Sequence, residues 1–338
     1  MQRQITTPGP LLDRYGTLAA RGYATRPLLT YRRDAIKAPP WRVKEWDFYQ
    51  VSNDDYCIQF TIGHTAYAGQ LTMMFFRLAD GARYERTTTL LAPFGSLHMP
   101  ASSDDGVAAS RGGVSISFEV RPGERVLRGE ATATTTAPAL RTEITLTQPP
   151  ADSLVIATPF TESAHAFYYN QKINCLRASG YVEVDGDRYS FAPDTAFGLL
   201  DWGRGVWPFH TEWFWGNGST LVDGVPFGFN IGYGFGDTSA ASENMLFYAG
   251  RSHKLSAVTF DLAAGGYLAP KHFGSDDGRF EMDFVPVYDR DTKTKILFID
   301  TECHQVFGRF SGRAILDDGR EIRVNDMMAF TEHAINNW

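Results

Sequence analysis

This 338-residue chain has few cysteines and no clustered cations, and both shortages limit its function. The three cysteines, Cys57, Cys175 and Cys303, lie far apart without CxxC or CxxH spacing, which argues against a disulfide framework or a structural zinc site. We therefore expect buried free thiols. The 32 basic residues are scattered among 39 acidic ones, so the clustered positive charge that nucleic-acid phosphates require is missing.

Long apolar runs and cofactor motifs are also missing. No stretch approaches the ~20 apolar residues of a membrane helix, and residues 1–8 lack the apolar region of a secretory signal. We therefore expect a cytoplasmic protein without integral membrane association. GxGxxG, GxxxxGK[ST], GxSxG and paired-histidine motifs are absent, so the sequence predicts no nucleotide cofactor, no metal and no serine triad.

What the chain does contain is alternation of apolar and polar residues over short segments. Asp-Gly pairs at 185–186, 223–224, 277–278 and 318–319 predict hairpin turns between them. This pattern indicates an all-β sandwich or barrel and not a βαβ sheet. The predicted strands are 56–62, 113–120, 125–132, 140–147, 167–174, 180–184, 188–191, 211–215, 227–233, 245–248, 254–260, 280–287, 295–299 and 304–310.

A turn-rich break at residues 148–152 divides the chain near its middle. We predict an N-terminal β module with an irregular N-terminal arm over residues 1–150 and a C-terminal β module over residues 151–338. Trp41, Trp46 and Tyr49 of the arm are placed to plug or brace a barrel.

The densest aromatic region is residues 200–218, with four of the seven tryptophans. Acidic and basic side chains among indole rings are typical of a cavity wall with a few fixed polar groups. The alternative is structural: Asp201 and Arg204 pair across a turn that the nearby glycines permit, and the tryptophans belong to the core. The residues concerned are Asp201, Trp202, Arg204, Trp207, His210, Trp213, Trp215 and Asn217.

A second polar pattern lies on the strand predicted at 167–174. Alternate residues share a face, so Tyr168, Asn170, Lys172 and Asn174 point the same way. That face is either exposed or turned into a polar lumen, and asparagine, which is depleted in strands, favours the lumen. A buried Lys172 needs a carboxylate, for which Asp201 is the candidate.

Segment 227–236 has one aromatic or branched face and one face of glycines with Asn230. A strand face without side chains lets another chain segment approach closely, and we favour sheet packing over ligand approach. Glu243 follows in a loop. It is a candidate second carboxylate, although a solvated turn acid is the expected outcome.

Together these segments resemble the domain-of-unknown-function family DUF2804. The resemblance rests on residues 168–174, 201–208, 243–244, Trp213 and Trp215, and the stretches 7–13 and 44–47 also fit, so it spans nearly the whole chain. More distantly, the W-G-R-G-x-W turn with a W-x-W strand is similar to two-module lipocalin-like proteins such as carotenoid 1,2-hydratases, tocopherol cyclases and pericyclase-type cyclases. That similarity implies two packed lipocalin-like (calycin-type) β-barrel or sandwich modules, and cofactor-free acid–base chemistry on lipophilic molecules.

We therefore expect a cofactor-independent enzyme of hydratase, lyase, isomerase or cyclase type that acts on a small lipophilic molecule. Asp201 is the candidate general acid or base, tuned by Lys172 or Arg204. The candidate binding residues are Trp202, Trp207, His210, Trp213, Trp215, Asn217, Tyr168, Asn170, Asn174, Asn230 and Glu243.

Two alternatives stay open. One is a carbohydrate-active enzyme, a glycoside hydrolase or lyase, in which a second acid such as Glu162, Glu212 or Glu243 lies about 5–10 Å from Asp201. The other is a non-catalytic carrier of a small ligand in a lipocalin-type barrel. The partner is a small molecule or a glycan in every case.

Overall fold

Two antiparallel sheets contain most of the chain in the computed structural model, which describes residues 2–65, 67–296 and 299–337. The larger sheet has 13 strands and the smaller has nine. No α-helix occurs among the described residues, and the two short 3₁₀ turns are Arg33–Ala35 and Pro40–Arg42. The predicted all-β class is confirmed.

The first 206 residues supply the larger sheet and a two-residue parallel ladder between β1 and β3. The order in the larger sheet is β7-β6-β5-β4-β15-β13-β11-β10-β9-β8, with β12 and β14 also paired to β13, and β2 paired to β12. The strands are β1 Gly9–Pro10, β2 Gly22–Ala24, β3 Leu29–Thr30, β4 Val43–Ser52, β5 Tyr56–His64, β6 Ala68–Arg77, β7 Arg83–Leu91, β8 Val107–Arg111, β9 Val114–Arg121, β10 Glu124–Ala131, β11 Leu140–Thr147, β12 Leu154–Pro159, β13 Phe167–Val184, β14 Asp187–Phe191 and β15 Phe197–Val206.

This larger sheet curls into a nearly closed barrel. Arg86 of β7 donates a hydrogen bond to the carbonyl of Thr132, just after β10. Met73 of β6 packs against Gly129 of β10, where a Cβ atom would come within 2.7 Å of the Met73 side chain. Aliphatic and aromatic side chains of both halves of the barrel, such as Phe60 and Leu127, fill its interior.

The remaining strands form the smaller sheet, a half-barrel in the order β19-β18-β17-β16-β24-β23-β22-β21-β20. Phenylalanines dominate its core, among them Phe229, Phe273 and Phe310. The strands are β16 His210–Val222, β17 Val225–Tyr233, β18 Met245–Tyr248, β19 Arg251–Lys254, β20 Val258–Thr259, β21 Lys271–Ser275, β22 Phe280–Ile296, β23 Ile299–Ile315 and β24 Glu321–Asn337.

The chain passes from one sheet to the other between Val206 and His210. The seam predicted at residues 148–152 lies inside the larger sheet, because β11 and β12, on either side of it, both pair with β13. Pro149 and Pro150 end β11 because proline has no N–H to donate to the ladder. The segment with these prolines therefore connects two strands of the same sheet.

Most predicted strands coincide with or lie within observed ones. The segments 140–147 and 245–248 match β11 and β18, and the two segments 167–174 and 180–184 are parts of the single strand β13. The strand predicted at 254–260 is wrong, since only Val258–Thr259 pairs there after β19 has ended. The strand predicted at 295–299 lies partly outside the described residues.

The two sheets meet where β13 crosses β16 and β17. A bulge between Ile173 and Leu176 bends β13, and Cys175 within it has a positive φ of 60°. Gly228 of β17 faces this bulge, and a Cβ atom there would lie 2.7 Å from the Cys175 sulfur. The bare face of β17 thus lets the sheets pack closely, as the glycine pattern predicts.

Candidate active site

Asp201 and Lys172 lie opposite each other on the adjacent strands β15 and β13. The Lys172 ammonium is 3.2 Å from Asp201 Oδ1, and Asn170 Nδ2 donates to the same oxygen at 2.5 Å. Lys172 also lies over the ring of Trp215, with its nitrogen 4.3 Å from the ring centroid. The cation that pairs with Asp201 is therefore Lys172 and not Arg204.

Asp201, Lys172 and Trp215 line a cavity of about 230 Å³ between the two sheets, which we call the inner cavity, whereas Asn170 does not border it. Because Asp201 keeps 12% of its side chain exposed, its carboxylate borders the void and is not sealed by its partners. Nine aromatic side chains contribute to the wall, and all but Phe235 lie in or next to strands of the two sheets. They are Trp46, Phe48, Tyr168, Trp207, Trp213, Phe214, Trp215, Tyr233 and Phe235.

Glu243 supplies a second carboxylate to the inner cavity. Its Oε2 is 4.0 Å from the Lys172 ammonium, and its side chain is only 12% exposed, so it is not the solvated turn acid that the sequence suggested. Burial raises the pKa of Glu243 although Lys172 opposes this, and the charge of Asp201 raises it further. Burial and the Glu243 carboxylate also raise the pKa of Tyr168 well above its ordinary value, which keeps its hydroxyl protonated.

Glu332 of β24 is a third carboxylate on the cavity wall, and the sequence did not single it out. The indole N–H of Trp213 donates to its Oε1 at 2.9 Å, and the amide of Gln305 donates to its Oε2 at 3.1 Å. Burial raises the pKa of Glu332, against the opposing charge of Arg290. No strand was predicted over β24, because residues 327–335 show no alternation of apolar and polar residues, and nothing local could place Glu332 beside Asp201.

Three asparagines behind the wall form a hydrogen-bonded ladder between the sheets. Asn174 Nδ2 donates to Asn217 Oδ1 at 2.9 Å, and Asn217 Nδ2 donates to Asn230 Oδ1 at 3.0 Å. The last asparagine accepts the Trp215 indole N–H at 2.7 Å and donates to the backbone carbonyl of Glu243 at 2.7 Å. These asparagines do not line the inner cavity, and their contacts orient Trp215 and the segment that carries Glu243.

Two glycines, Gly203 and Gly205, follow Asp201 on β15. We expected Gly203 and Gly205 to form a turn, but both have ordinary strand conformations within β15. A Cβ atom at Gly203 would lie 2.2 Å from the Trp46 ring. The glycine therefore admits the Trp46 ring to the cavity wall, on the same face of β15 as Asp201.

Arg204 and Trp202 lie on the opposite face of β15, inside the barrel. Arg204 is fully buried, and its Nη2 donates to Asp47 Oδ1 at 2.8 Å. Its remaining N–H groups donate to backbone carbonyls, including those of Trp46 and Pro100. The guanidinium lies 4.1 Å from the Trp202 ring centroid. Neither Arg204 nor Trp202 borders the inner cavity, because strand alternation places them on the other side of the sheet.

Like Asn170, the predicted residue His210 lies outside the inner cavity. It is exposed at the start of β16, where its Nδ1 is 2.9 Å from Asn337 Oδ1. The predicted residues that do border the inner cavity are Tyr168, Lys172, Asp201, Trp207, Trp213, Trp215 and Glu243.

Two negative findings apply to the described part of the chain. It contains no group of three or more histidine, cysteine, aspartate or glutamate side chains arranged to hold a metal ion. It also contains no helix with the length and apolar character that crossing a membrane would require.

The nearly closed barrel packed on a half-barrel is a lipocalin-like fold. Solved structures that share this fold include the following two. An ATTH protein from Nitrosomonas europaea superposes with a TM-score of 0.56 at 13% identity, over 91% of this chain and 98% of that one. Kievitone hydratase from Nectria haematococca gives a TM-score of 0.55 at 9% identity, over 91% and 93%.

Within that class the chain belongs to the DUF2804 family, described as a domain of unknown function. The family model matches residues 2–338, which confirms the family resemblance. No curated protein matches the sequence. Function is therefore argued from the geometry of the site.

Proposed function

We propose that this protein is a cofactor-independent acid–base enzyme that adds, removes or moves a proton or water on a small lipophilic molecule. The observation that carries the proposal is that Asp201 and Glu243 both lie within 4.0 Å of the Lys172 ammonium, at the wall of an aromatic cavity. Two carboxylates in different environments are suited to opposite roles in proton transfer. The hydratase fold of one structural neighbour fits this reaction class.

Glu243 is the proton donor in this mechanism, since burial raises the pKa of its carboxyl and so favours the protonated form. Its proton passes to one carbon of a double bond, whose π electrons form the new C–H bond and leave a cation on the other carbon. Water adds to that cation and gives its proton to Asp201. Loss of a neighbouring C–H proton to Asp201 instead moves the double bond, and the reverse of the first sequence is dehydration.

Two further groups take part in this mechanism: aromatic rings of the cavity wall and the Lys172 ammonium. Indole faces such as those of Trp213 and Trp215 stabilise the developing cation through their negative ring faces. After the reaction Asp201 holds one proton more and Glu243 one fewer than before. Lys172, within 4.0 Å of both carboxylates, restores the starting state by giving a proton to Glu243 and accepting one from Asp201.

Compounds extracted from the purified protein and identified by mass spectrometry provide the test. Wild type should convert the recovered compound, whereas Asp201→Asn and Glu243→Gln should lose at least about 100-fold in rate and remain folded, because general acid–base groups contribute about 10²–10⁴-fold. Exposed Asp194→Asn is the matched control and should leave the rate unchanged. Equal rates in all four proteins contradict the proposal, and a compound that wild type never alters identifies a carrier.

The distance between the carboxylates gives a carbohydrate-active enzyme some support. Both lie within 4.0 Å of one ammonium, so their nearest oxygens are at most about 8 Å apart, and this upper limit is compatible with the separations of glycoside hydrolases. The Lys172 ammonium nevertheless lies close to both carboxylates and pairs with Asp201, which reduces the room for a glycosidic bond between them. Hydrolysis of aryl glycosides by wild type and not by Asp201→Asn would favour this second candidate.

A further inference from the structure

A second cavity, of about 650 Å³, lies beside the inner one, and we call it the outer cavity. The two share Phe214, Tyr233 and Thr238 in their walls. Segment 234–239 contributes to both walls: Phe235 lines the inner cavity, and Asp237 and Ser239 line the outer one. A molecule held in the inner cavity therefore has the outer cavity directly next to it.

The outer cavity is polar and carries acidic groups, unlike the inner aromatic wall. Glu162, Glu212 and Asp237 contribute three carboxylates, and His210 is the one basic side chain on the wall within the described residues. The hydrogen bond from Ser239 lowers the pKa of Asp237, which keeps it charged at neutral pH. A hollow with this charge repels anionic groups.

Two buried polar atoms on these walls have no hydrogen-bond partner among the described residues. One is the hydroxyl of Thr211 in the outer cavity, a residue only 5% exposed. The other is the indole N–H of Trp207 in the inner cavity. Buried polar groups are normally hydrogen-bonded, and these two unpaired groups belong to residues of the two cavity walls.

We infer that the two cavities together hold one amphiphilic molecule, whose apolar, reacting part lies in the inner cavity and whose hydrogen-bonding head, without negative charge, lies in the outer cavity. This inference rests on the proposed function in one respect, because it takes the inner cavity as the place of reaction. It adds the class of substrate. Hydroxylated or cationic amphiphiles fit, whereas carboxylates, sulfates and phosphate esters do not.

Three probes with the same tail test the head group: octyl glucoside, octyltrimethylammonium and octyl sulfate, each below its micelle concentration. Binding is followed by the fluorescence of the cavity tryptophans. The glucoside and the ammonium compound should bind. The sulfate should bind at least about tenfold more weakly at low salt, and this difference in affinity should become smaller at high salt. Equal or tighter binding of the sulfate, or no binding of any probe, overturns the inference.

Substitutions of the acidic residues in the outer cavity test whether the head group lies there. Glu162→Gln, Glu212→Gln and Asp237→Asn combined should bring the sulfate within about threefold of the glucoside. The matched control removes three exposed charges elsewhere, through Asp187→Asn, Asp223→Asn and Asp318→Asn. It should retain the wild-type difference in affinity between the glucoside and the sulfate. An equal effect of both triple variants overturns the assignment of the head to the outer cavity.

Thr211→Val tests the unpaired hydroxyl. It should weaken the glucoside severalfold, leave the ammonium probe unchanged and not destabilise the fold, because no protein hydrogen bond is lost. Unchanged glucoside binding overturns the assigned contact. Asp201→Asn should bind all probes like wild type, so probe binding with unimpaired turnover in that variant would refute the proposed function alone.

Discussion

The barrel interior and the inner cavity both bury acids, cations and tryptophans, yet they differ in what surrounds the charges. In the barrel, the Arg204 guanidinium is sealed by Asp47, backbone carbonyls and the Trp202 ring. In the inner cavity, Asp201 and Lys172 form an ion pair whose carboxylate borders a void. The same residue types thus form a structural network on one face of β15 and a candidate site on the other.

The difference shows that a buried ion pair indicates function only where it leaves space for another molecule. Arg204 uses its N–H groups on protein acceptors and has none to offer a ligand. Asp201 keeps an accessible carboxylate next to aromatic walls. The void, and not the presence of charge, separates the two regions.

The largest expected effect comes from removing the cation of each region. Arg204→Met leaves Asp47 buried without its partner and should cost about 3–5 kcal/mol of unfolding free energy. Lys172→Met leaves Asp201 beside the cavity, where water can solvate it, and should cost about 1–3 kcal/mol. Urea denaturation measures both, and a larger loss for Lys172→Met would remove the distinction between the regions.

A smaller effect is expected from substituting Gly203, which lies on the same face of β15 as Asp201. Gly203→Ala places a methyl group 2.2 Å from the Trp46 ring and should cost about 1–3 kcal/mol as that ring is displaced. Gly9→Ala is the control, since an added Cβ atom meets nothing within 4 Å there. Urea denaturation of both variants is the measurement, and equal stability of the two would show that Trp46 is not fixed by this strand.

The smallest effect is a difference in pH dependence between Glu45 and Glu243, which both line the inner cavity but have different partners. The Glu45 carboxylate is held by Tyr31, Arg33 and His64. Burial acts to raise the pKa of Glu45, but the hydrogen bond with His64 and the charges of Arg204 and Arg33 outweigh it and lower the pKa below 4.5. The pKa of Glu243 is raised above 4.5, mainly by burial. Ionised Glu45 therefore stabilises the fold, and ionised Glu243 destabilises it.

The advantage of wild type over Glu45→Gln should be full above pH 4.5 and should shrink as the pH falls below it. Relative to Glu243→Gln, wild type should lose stability as the pH rises above 4.5. Unfolding free energies across a pH series give both differences. Slopes of the same sign would show that the two carboxylates share one kind of environment.

The all-β class and many strands could be predicted because alternation and turns are local. The Asp185-Gly186 and Asp223-Gly224 turns both have positive φ at their two residues, the conformation that a tight hairpin requires. The pairing of Lys172 with Asp201 was also predictable, since a buried lysine on a polar strand face needs a nearby acid.

Other features depend on contacts that no local pattern records. Arg204 was grouped with Asp201 because its flanking glycines suggested a turn, whereas an extended strand puts the two on opposite faces. Glu332 reaches the inner cavity only because β24 pairs with β16. The change of sheet at 206–210 follows from strand order, which composition does not reveal.

The position of the inner cavity between the sheets has a practical consequence. A compound that fills it contacts Trp46 and Asp201 of the larger sheet and Trp213 and Glu332 of the smaller one at the same time. Occupancy therefore strengthens the cohesion of the two halves and should raise the melting temperature with ligand concentration. A thermal-shift screen of metabolites can find the natural substrate without any assay for its conversion.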